Sequence, residues 1–327
     1  MIHLILKDGL GNQLFQYAFA RYLQSIYLEN GISEELVVNP FFLHSRKFED
    51  NDKRVMSLQH LVLNKDIRFL TLEEQVASMK KFKLRAIKAT PLLELYRWRF
   101  KKQKNDTLDL FNYRAKRGLY YTYSSYTEYK PIISSCNDKF VFGFFQTEKN
   151  FLPIEKIIKK EFLVKTAASI ENNCLLEKID SVNSVCLHIR RGDYLNSRWK
   201  NLQICNFEYY NNAINKILDS VDNPVFFVFS NTHEDILWIK ENYNFYDLSG
   251  HRFIDLFYVD LSNPDYEELR LMMRCKNFII SNSTFSWWAA WLSHDPNKIV
   301  CAPDRWNLSL ADDSVVYARN WIKIKAK

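Results

Sequence analysis

The second half of the chain alternates short apolar runs with stretches of helical spacing. Ser184–Ile189 reads as a strand. Phe207, Tyr210, Ala213, Ile214, Ile217 and Leu218 recur every three or four positions, so 207–218 is predicted helical, with Asn206 as its N-cap. Val225–Phe229 is apolar without a break, the pattern of a parallel strand covered on both faces. The series continues as helix His233–Glu241, strand Ile254–Val259, helix Tyr266–Cys275, strand Asn277–Ile280, helix Thr284–Leu292 and strand Lys298–Ala302. Chained βα units predict a doubly wound parallel sheet, because a crossover helix must return each strand to the same edge.

The first half opens in the same way. Strand Ile2–Leu6 leads through Asp8-Gly9-Leu10-Gly11-Asn12 into a helix ending near Leu28, with Gly31 as its stop and Leu36–Val38 as the next strand. Residues 64–120 read as largely helical, 119–129 as tyrosine-rich and Lys139–Phe145 as a strand. This predicts a second, less regular α/β domain. The boundary is expected between Lys160 and Asn183, dividing the chain into 1–165 and 166–327.

Composition narrows the class. The 327 residues are 47% hydrophobic and 25% charged with only 7 Gly and 8 Pro, which excludes a low-complexity or disordered chain. No apolar run approaches the roughly 18–20 residues that span a bilayer, and the apolar start at Met1–Leu6 is too short for a secretory signal, so a cytosolic chain is expected. Six scattered cysteines without a CxxC read as reduced, small apolar residues, and zinc-ligand spacing is missing. The sequons Asn282-Ser283-Thr284 and Asn307-Leu308-Ser309 therefore read as coincidental. Net charge is +7, and Lys80–Lys104 alone holds ten basic residues against Glu94, leaving −2 for the remainder. Aromatic and leucine residues interleave with these charges. The segment fits a solvated face, or peripheral contact with an anionic membrane on its inner side; no motif supports nucleic acid.

Three loops carry candidate chemistry. Gly9-Leu10-Gly11-Asn12-Gln13-Leu14 starts like a dinucleotide fingerprint, but Leu14 stands where the third glycine belongs. What remains is a tight turn with Asn12 and Gln13 offering amides to a ligand. His188-Ile189-Arg190-Arg191-Gly192-Asp193-Tyr194 ends a predicted strand in two guanidinium groups suited to phosphate oxygens. Alternation sends His188 and Arg190 to one face and Arg191 to the other, so both arginines reach one ligand only if the strand ends by Arg190. Ser281-Asn282-Ser283-Thr284-Phe285-Ser286 follows another strand and opens a helix, and Phe229-Ser230-Asn231 repeats the geometry. Three strand ends thus meet at the carboxyl edge of one sheet, where open α/β sheets bind ligands. Trp287, Trp288 and Trp291 fit helix-packing core. No DxD follows the strand ends at 189–191, 230–231 or 281–284, so phosphate charge is assigned to the arginines and a helix N-terminus and no metal is expected.

Gly9–Ala18, His188–Tyr194 and Ser281–Leu292, in that order, resemble the bacterial α-1,2-fucosyltransferases of glycosyltransferase family 11. The resemblance runs from the first strand to about Trp306. It implies a GT-B fold, two Rossmann-like domains facing a cleft, and metal-independent, inverting transfer of fucose from GDP-β-L-fucose to the 2-hydroxyl of a galactoside. The acceptor would be a galactose-containing oligosaccharide or lipid-linked glycan of a surface polysaccharide. By the matching motifs, Arg190 would bind the β-phosphate and stabilise departing GDP, with His188, Arg191 and Asp193 shaping the donor site. Ser281–Ser286 would contact the donor, and Gly11 and Asn12 would face it from the other domain. Asn231 stands where many relatives carry an acid, so a nucleotide contact there is not implied. No catalytic base is identified; Asp193 is a candidate catalytic residue, although a carboxylate beside two arginines should have a lowered pKa and be a poor base. Two alternatives stay open: a related transferase using another nucleotide sugar or linkage, and a non-catalytic glycan- or nucleotide-binding protein.

Overall fold

The computed structural model describes residues 1–45, 55–91, 107–122, 126–245 and 254–326. It divides into two units, Met1–Leu163 and Val164–Lys327. Each is an α/β unit built on one sheet whose paired strands all run parallel.

The first unit contains β1 (Ile2–Ile5), α1 (Leu10–Glu29), β2 (Leu36–Asn39), α2 (Phe41–Ser45), β3 (Arg68–Phe69), α3 (Leu72–Ala89), α4 (Leu108–Ala115), β4 (Leu119–Tyr121), β5 (Lys139–Phe142) and α5 (Glu155–Glu161). Its strand order is β3-β2-β1-β5-β4. β1 and β2 are buried along their whole length, which suits their largely apolar character; the exceptions, His3 and Asn39, are hydrogen-bonded. α1 ends as predicted, with Gly31 at φ 75°, a backbone that side chains disfavour.

The expectation of a largely helical 64–120 needs correction. β3 and β4 lie within it or at its end, and two- and three-residue strands are too short to show a period. α3 does begin with a full capping box between Thr71 and Glu74. The strand predicted to reach Phe145 stops at Phe142, and Phe145 takes φ 54°, outside extended geometry. Within the basic segment, Lys81 pairs with Asp138 at 2.9 Å and Arg85 donates to Arg117 O at 3.2 Å, while Lys80, Lys83 and Lys88 are exposed. Residues 92–104 of that segment lie outside the described residues. Among the described residues, no helix is long and apolar enough to cross a membrane.

The second unit contains α6 (Ile170–Ser181), β6 (Asn183–His188), α7 (Phe207–Leu218), β7 (Pro224–Phe229), α8 (His233–Asn242), β8 (Asp255–Tyr258), α9 (Asp265–Arg274), β9 (Asn277–Ile279), α10 (Thr284–Leu292), β10 (Val300–Pro303) and β11 (Ile322–Ile324). Every helix and strand predicted here is present, with ends shifted by a residue or two. β11 adds a strand that three alternating residues did not announce. Asn206 caps α7, its side chain accepting the Tyr209 N–H at 2.9 Å. Trp287, Trp288 and Trp291 are buried and pack on one another, as expected of core.

The order β11-β10-β9-β6-β7-β8 is that of a dinucleotide-type doubly wound sheet. The chain leaves β6 toward β7 and β8 on one side, then returns to add β9, β10 and β11 on the other. The strand order therefore reverses between β6 and β9. Loops after these two strands diverge onto opposite faces, and the gap between them is the ligand crevice that this topology dictates.

Candidate active site at the carboxyl edge of the second sheet

The three predicted strand ends of this unit, after β6, β7 and β9, lie at this edge and are tied together. His188, the last residue of β6, meets Ser281, just past β9, with Nδ1 and Oγ 2.9 Å apart. This pair spans the reversal point. Ser230 Oγ donates to Ile189 O at 2.8 Å, joining the end of β7 to β6. Tyr194 Oη donates to Asn282 O at 3.0 Å, joining the 190–194 turn to the loop before α10.

His188 is buried, and burial, aided by the positive charge of Arg190, lowers its pKa to about 3. It is therefore a neutral imidazole at physiological pH. Positive charge at this edge comes from the arginines instead. The Arg190 guanidinium lies 5.2 Å from the Tyr194 ring centroid. Glu268, half-buried on α9, also feels it: burial and neighbouring Asp265 push that carboxyl up to about 8, and Arg190 opposes the rise. Arg191 takes the other side, as alternation predicts. Its guanidinium sits 3.8 Å over the Trp238 indole, and Nη1 reaches Asp235 Oδ1 at 3.4 Å. The backbone of Asp193 lies in a short 3-10 turn, Gly192–Leu195; its side chain falls outside the described residues.

Gly192 is required for space. A Cβ there would stand 2.7 Å from Asn231 Nδ2, whereas its φ is not in the left-handed region. Asn231 in turn has a buried Oδ1 with no hydrogen-bond partner among the described residues. An acceptor left unpaired at a ligand edge is one that an incoming N–H or O–H can satisfy.

The Ser281–Ser286 loop is mostly framework. Asn282 Nδ2 donates to Leu202 O at 2.9 Å and Trp306 O at 3.0 Å, anchoring the loop from below. Ser283 caps α10 by accepting the Phe285 N–H at 3.3 Å, and Ser286 Oγ donates back to Ser283 O at 3.3 Å. Thr284 and Phe285 are half-buried at the head of the helix, where backbone N–H groups and the helix dipole favour an anion.

In the first unit, the predicted glycine loop also lies at a reversal of strand order, between β1 and β5. Gly11 is buried in the first turn of α1. Asn12 Oδ1 accepts from Gln146 Nε2 at 2.6 Å, bridging the loops after β1 and β5. Gln13 is wholly internal, its Nε2 donating to Asp8 O at 2.9 Å and Val55 O at 2.8 Å, so it serves the turn.

Residues that sequence reasoning did not single out are Asp235, Trp238, Glu268 and Gln146. Asp235 and Glu268 stand in the first turns of helices, where acids are commonplace, so the sequence held no signal to separate them from dipole-complementing acids. Among the described residues, no group of three or more His, Cys, Asp or Glu side chains is placed to hold a metal ion.

A Rossmann-type doubly wound sheet with an arginine turn at its reversal point is an α/β arrangement suited to a phosphorylated ligand. The chain belongs to glycosyl transferase family 11, whose model matches residues 1–325. It is 30% identical over 307 residues to an α-1,2-colitosyltransferase of Escherichia coli, covering 92% of this chain and 90% of the relative. An O-antigen biosynthesis glycosyltransferase, WbnK, of the same organism is 28% identical, covering 92% and 93%. A galactoside α-(1,2)-fucosyltransferase 1 of Saimiri boliviensis boliviensis is 28% identical over 149 residues, 43% of this chain and 38% of the relative. A solved structure of NodZ α-1,6-fucosyltransferase with GDP has a TM-score of 0.47 at 11% identity, covering 88% and 91%.

Proposed function

We propose that this glycosyltransferase moves L-fucose from GDP-β-L-fucose to the 2-hydroxyl of a galactoside, with inversion, in the synthesis of a surface polysaccharide. The supporting observation is Arg190 in the turn after β6, next to the reversal point, beside Tyr194, which is itself tied to the Asn282 carbonyl ahead of α10. A guanidinium and a helix N-terminus are the groups that stabilise a departing diphosphate. His188, held neutral, adds shape rather than charge. The acceptor hydroxyl attacks the anomeric carbon, the bond to GDP breaks, and the linkage formed is α. Transfer needs no divalent metal in this reading, and should persist in a chelator.

The test is incubation of purified protein with GDP-fucose and a β-galactoside, with the product linkage read by NMR. An α-1,2-fucosyl product supports the proposal; donor hydrolysis alone, another linkage or metal-dependent transfer counts against it. A second reading, a different nucleotide sugar on the same scaffold, is favoured by the colitosyltransferase relative. Competition between GDP-fucose and other GDP- and UDP-sugars separates the two. A lipid-linked acceptor would bring the exposed Lys80, Lys83 and Lys88 of α3 near an anionic surface, and vesicle co-sedimentation of the triple glutamine variant tests that part alone.

A further inference from the structure

The two arginines after β6 stand in different surroundings. Ile189 N–H still donates to Phe229 O at 2.9 Å, so the strand register carries past His188 and successive side chains leave on opposite faces. Arg190 shares its side with Tyr194, which is tied to the Asn282 carbonyl across the reversal point. Arg191 is seated on α8 instead. Its planar face lies on the Trp238 indole and its Nη1 points to Asp235. Trp238 is braced in turn by Tyr243, with ring centroids 5.3 Å apart.

Asp235 is the centre of this arrangement. Its side chain is only 6% exposed. Oδ1 faces Arg191, and Oδ2 accepts the Gly192 N–H at 3.1 Å. A buried carboxylate is tolerated only while its donors stay in place. Drawing Arg191 away to a ligand would leave that charge with one backbone amide. The turn cannot relax sideways either, since Gly192 already abuts Asn231.

We propose that Arg191 is a positioning residue: with Asp235 and Trp238 it clamps the Arg191–Gly192 backbone, and so fixes where Arg190 presents its guanidinium to the donor diphosphate. The proposal rests on the reading of this edge as the donor site. It divides the labour between adjacent arginines, one for the ligand and one for the turn.

The experiment is a double-mutant cycle on the full chain, read by calorimetric GDP binding and by donor KM and kcat. Asp235→Asn keeps size and an acceptor for Gly192 but removes the charge. Arg191→Gln removes the other partner, and Arg191→Lys keeps charge without the planar face. Each is expected to weaken GDP about tenfold, the scale of one charge-assisted hydrogen bond. The Asp235→Asn/Arg191→Gln double variant should bind no more weakly than its weaker parent, because both changes break one device. Additive, roughly hundredfold loss in the double variant would make Arg191 an independent ligand and overturn the proposal. So would wild-type GDP affinity in Arg191→Lys, or lowered thermal stability with unchanged GDP affinity. Should Asp235→Asn not fold, Trp238→Leu probes the same clamp and is expected to weaken GDP several-fold; unchanged affinity there overturns it. Failure of the wild-type chain to bind GDP at all is a different outcome, which removes the donor-site reading and this proposal with it.

Discussion

Neutral His188 makes the chain's acid sensitivity calculable. Its pKa is ordinarily 6.5 and falls to about 3 in the folded protein. Below pH 6.5 the unfolded chain takes up a proton that the folded chain refuses, so acidification favours unfolding. The stability it contributes is fully present above the ordinary value and is lost progressively as pH falls from about 6.5 toward 3. The linkage relation gives a loss of about 0.8 kcal/mol at pH 6 and about 2 kcal/mol at pH 5 from this residue alone. Both figures depend only on the folded value lying well below 5. The assay is urea unfolding followed by tryptophan fluorescence at pH 7.5 and 5.0. That signal reports the second unit, since of eight tryptophans only Trp98 precedes Val164. The variant is His188→Gln, which retains a polar group for Ser281 and cannot titrate. Whatever the substitution costs is the same at both pH values, so the difference of differences isolates the imidazole. Wild type should lose about 2 kcal/mol more than His188→Gln between the two conditions. An equal loss in both would mean that His188 carries a proton in the folded protein. The division of charge at the site would then be wrong.

Three further outcomes follow from the same geometry. Arg190→Ala should lower turnover at least about a hundredfold, equivalent to roughly 2–4 kcal/mol of leaving-group stabilisation, with the urea midpoint little changed; near-normal turnover would remove Arg190 from the mechanism. Gly192→Ala should destabilise the second unit by roughly 1–3 kcal/mol through overpacking against Asn231, and most of that loss should vanish when Asn231→Ala is added; an equal loss in both backgrounds would show that space is not the reason for the glycine. Glu268, whose carboxyl is raised to about 8, binds a proton in the folded state that the unfolded chain releases above its ordinary value of 4.5. Its presence therefore lowers stability progressively from about pH 4.5 to 8, and the thermal midpoint of Glu268→Gln should exceed that of wild type at pH 8.5 while matching it near pH 4.5; parallel pH profiles would refute the shift.

Much of the second unit could be read from the chain because its signals are local. Helical spacing and an N-cap fixed α7, and an unbroken apolar run fixed β7. Strand alternation puts Arg190 and Arg191 on opposite faces, although the sequence alone assigns both to phosphate. The convergence of three strand ends also followed from sequence, since parallel βα units put every such loop at one edge. What escaped were pairings over long sequence distances. Asp235 is 43 residues from the glycine whose N–H it accepts, and only the packing of α8 brings them together. Gly192 reads as a turn-former, yet the structure shows it making room for Asn231. β4 and β11 escaped for another reason: three residues leave no period to detect. The strand expected through Phe145 ends at Phe142, and the left-handed φ of Phe145 is one that sequence does not specify for a phenylalanine.

The alternation of β6 explains how neighbouring residues can do unlike work. His188 and Arg190 leave the strand on one side and Arg191 on the other, so three consecutive chemistry-bearing positions enter different environments. The first is enclosed by β9 and the Ser281 hydroxyl, which keeps it uncharged. The second lies by the reversal point, beside Tyr194. The third is spent on α8. A site made only of exposed cations would lose much of its hold to water and salt. Here one side chain is made neutral by enclosure and one cation is fixed on a buried carboxylate and an indole. Arg190 is left on a turn that Tyr194, Asp235 and Asn231 all brace. In the proposed transfer, such bracing would lower the cost of organising the charge as a diphosphate departs, which is the physical requirement for leaving-group stabilisation.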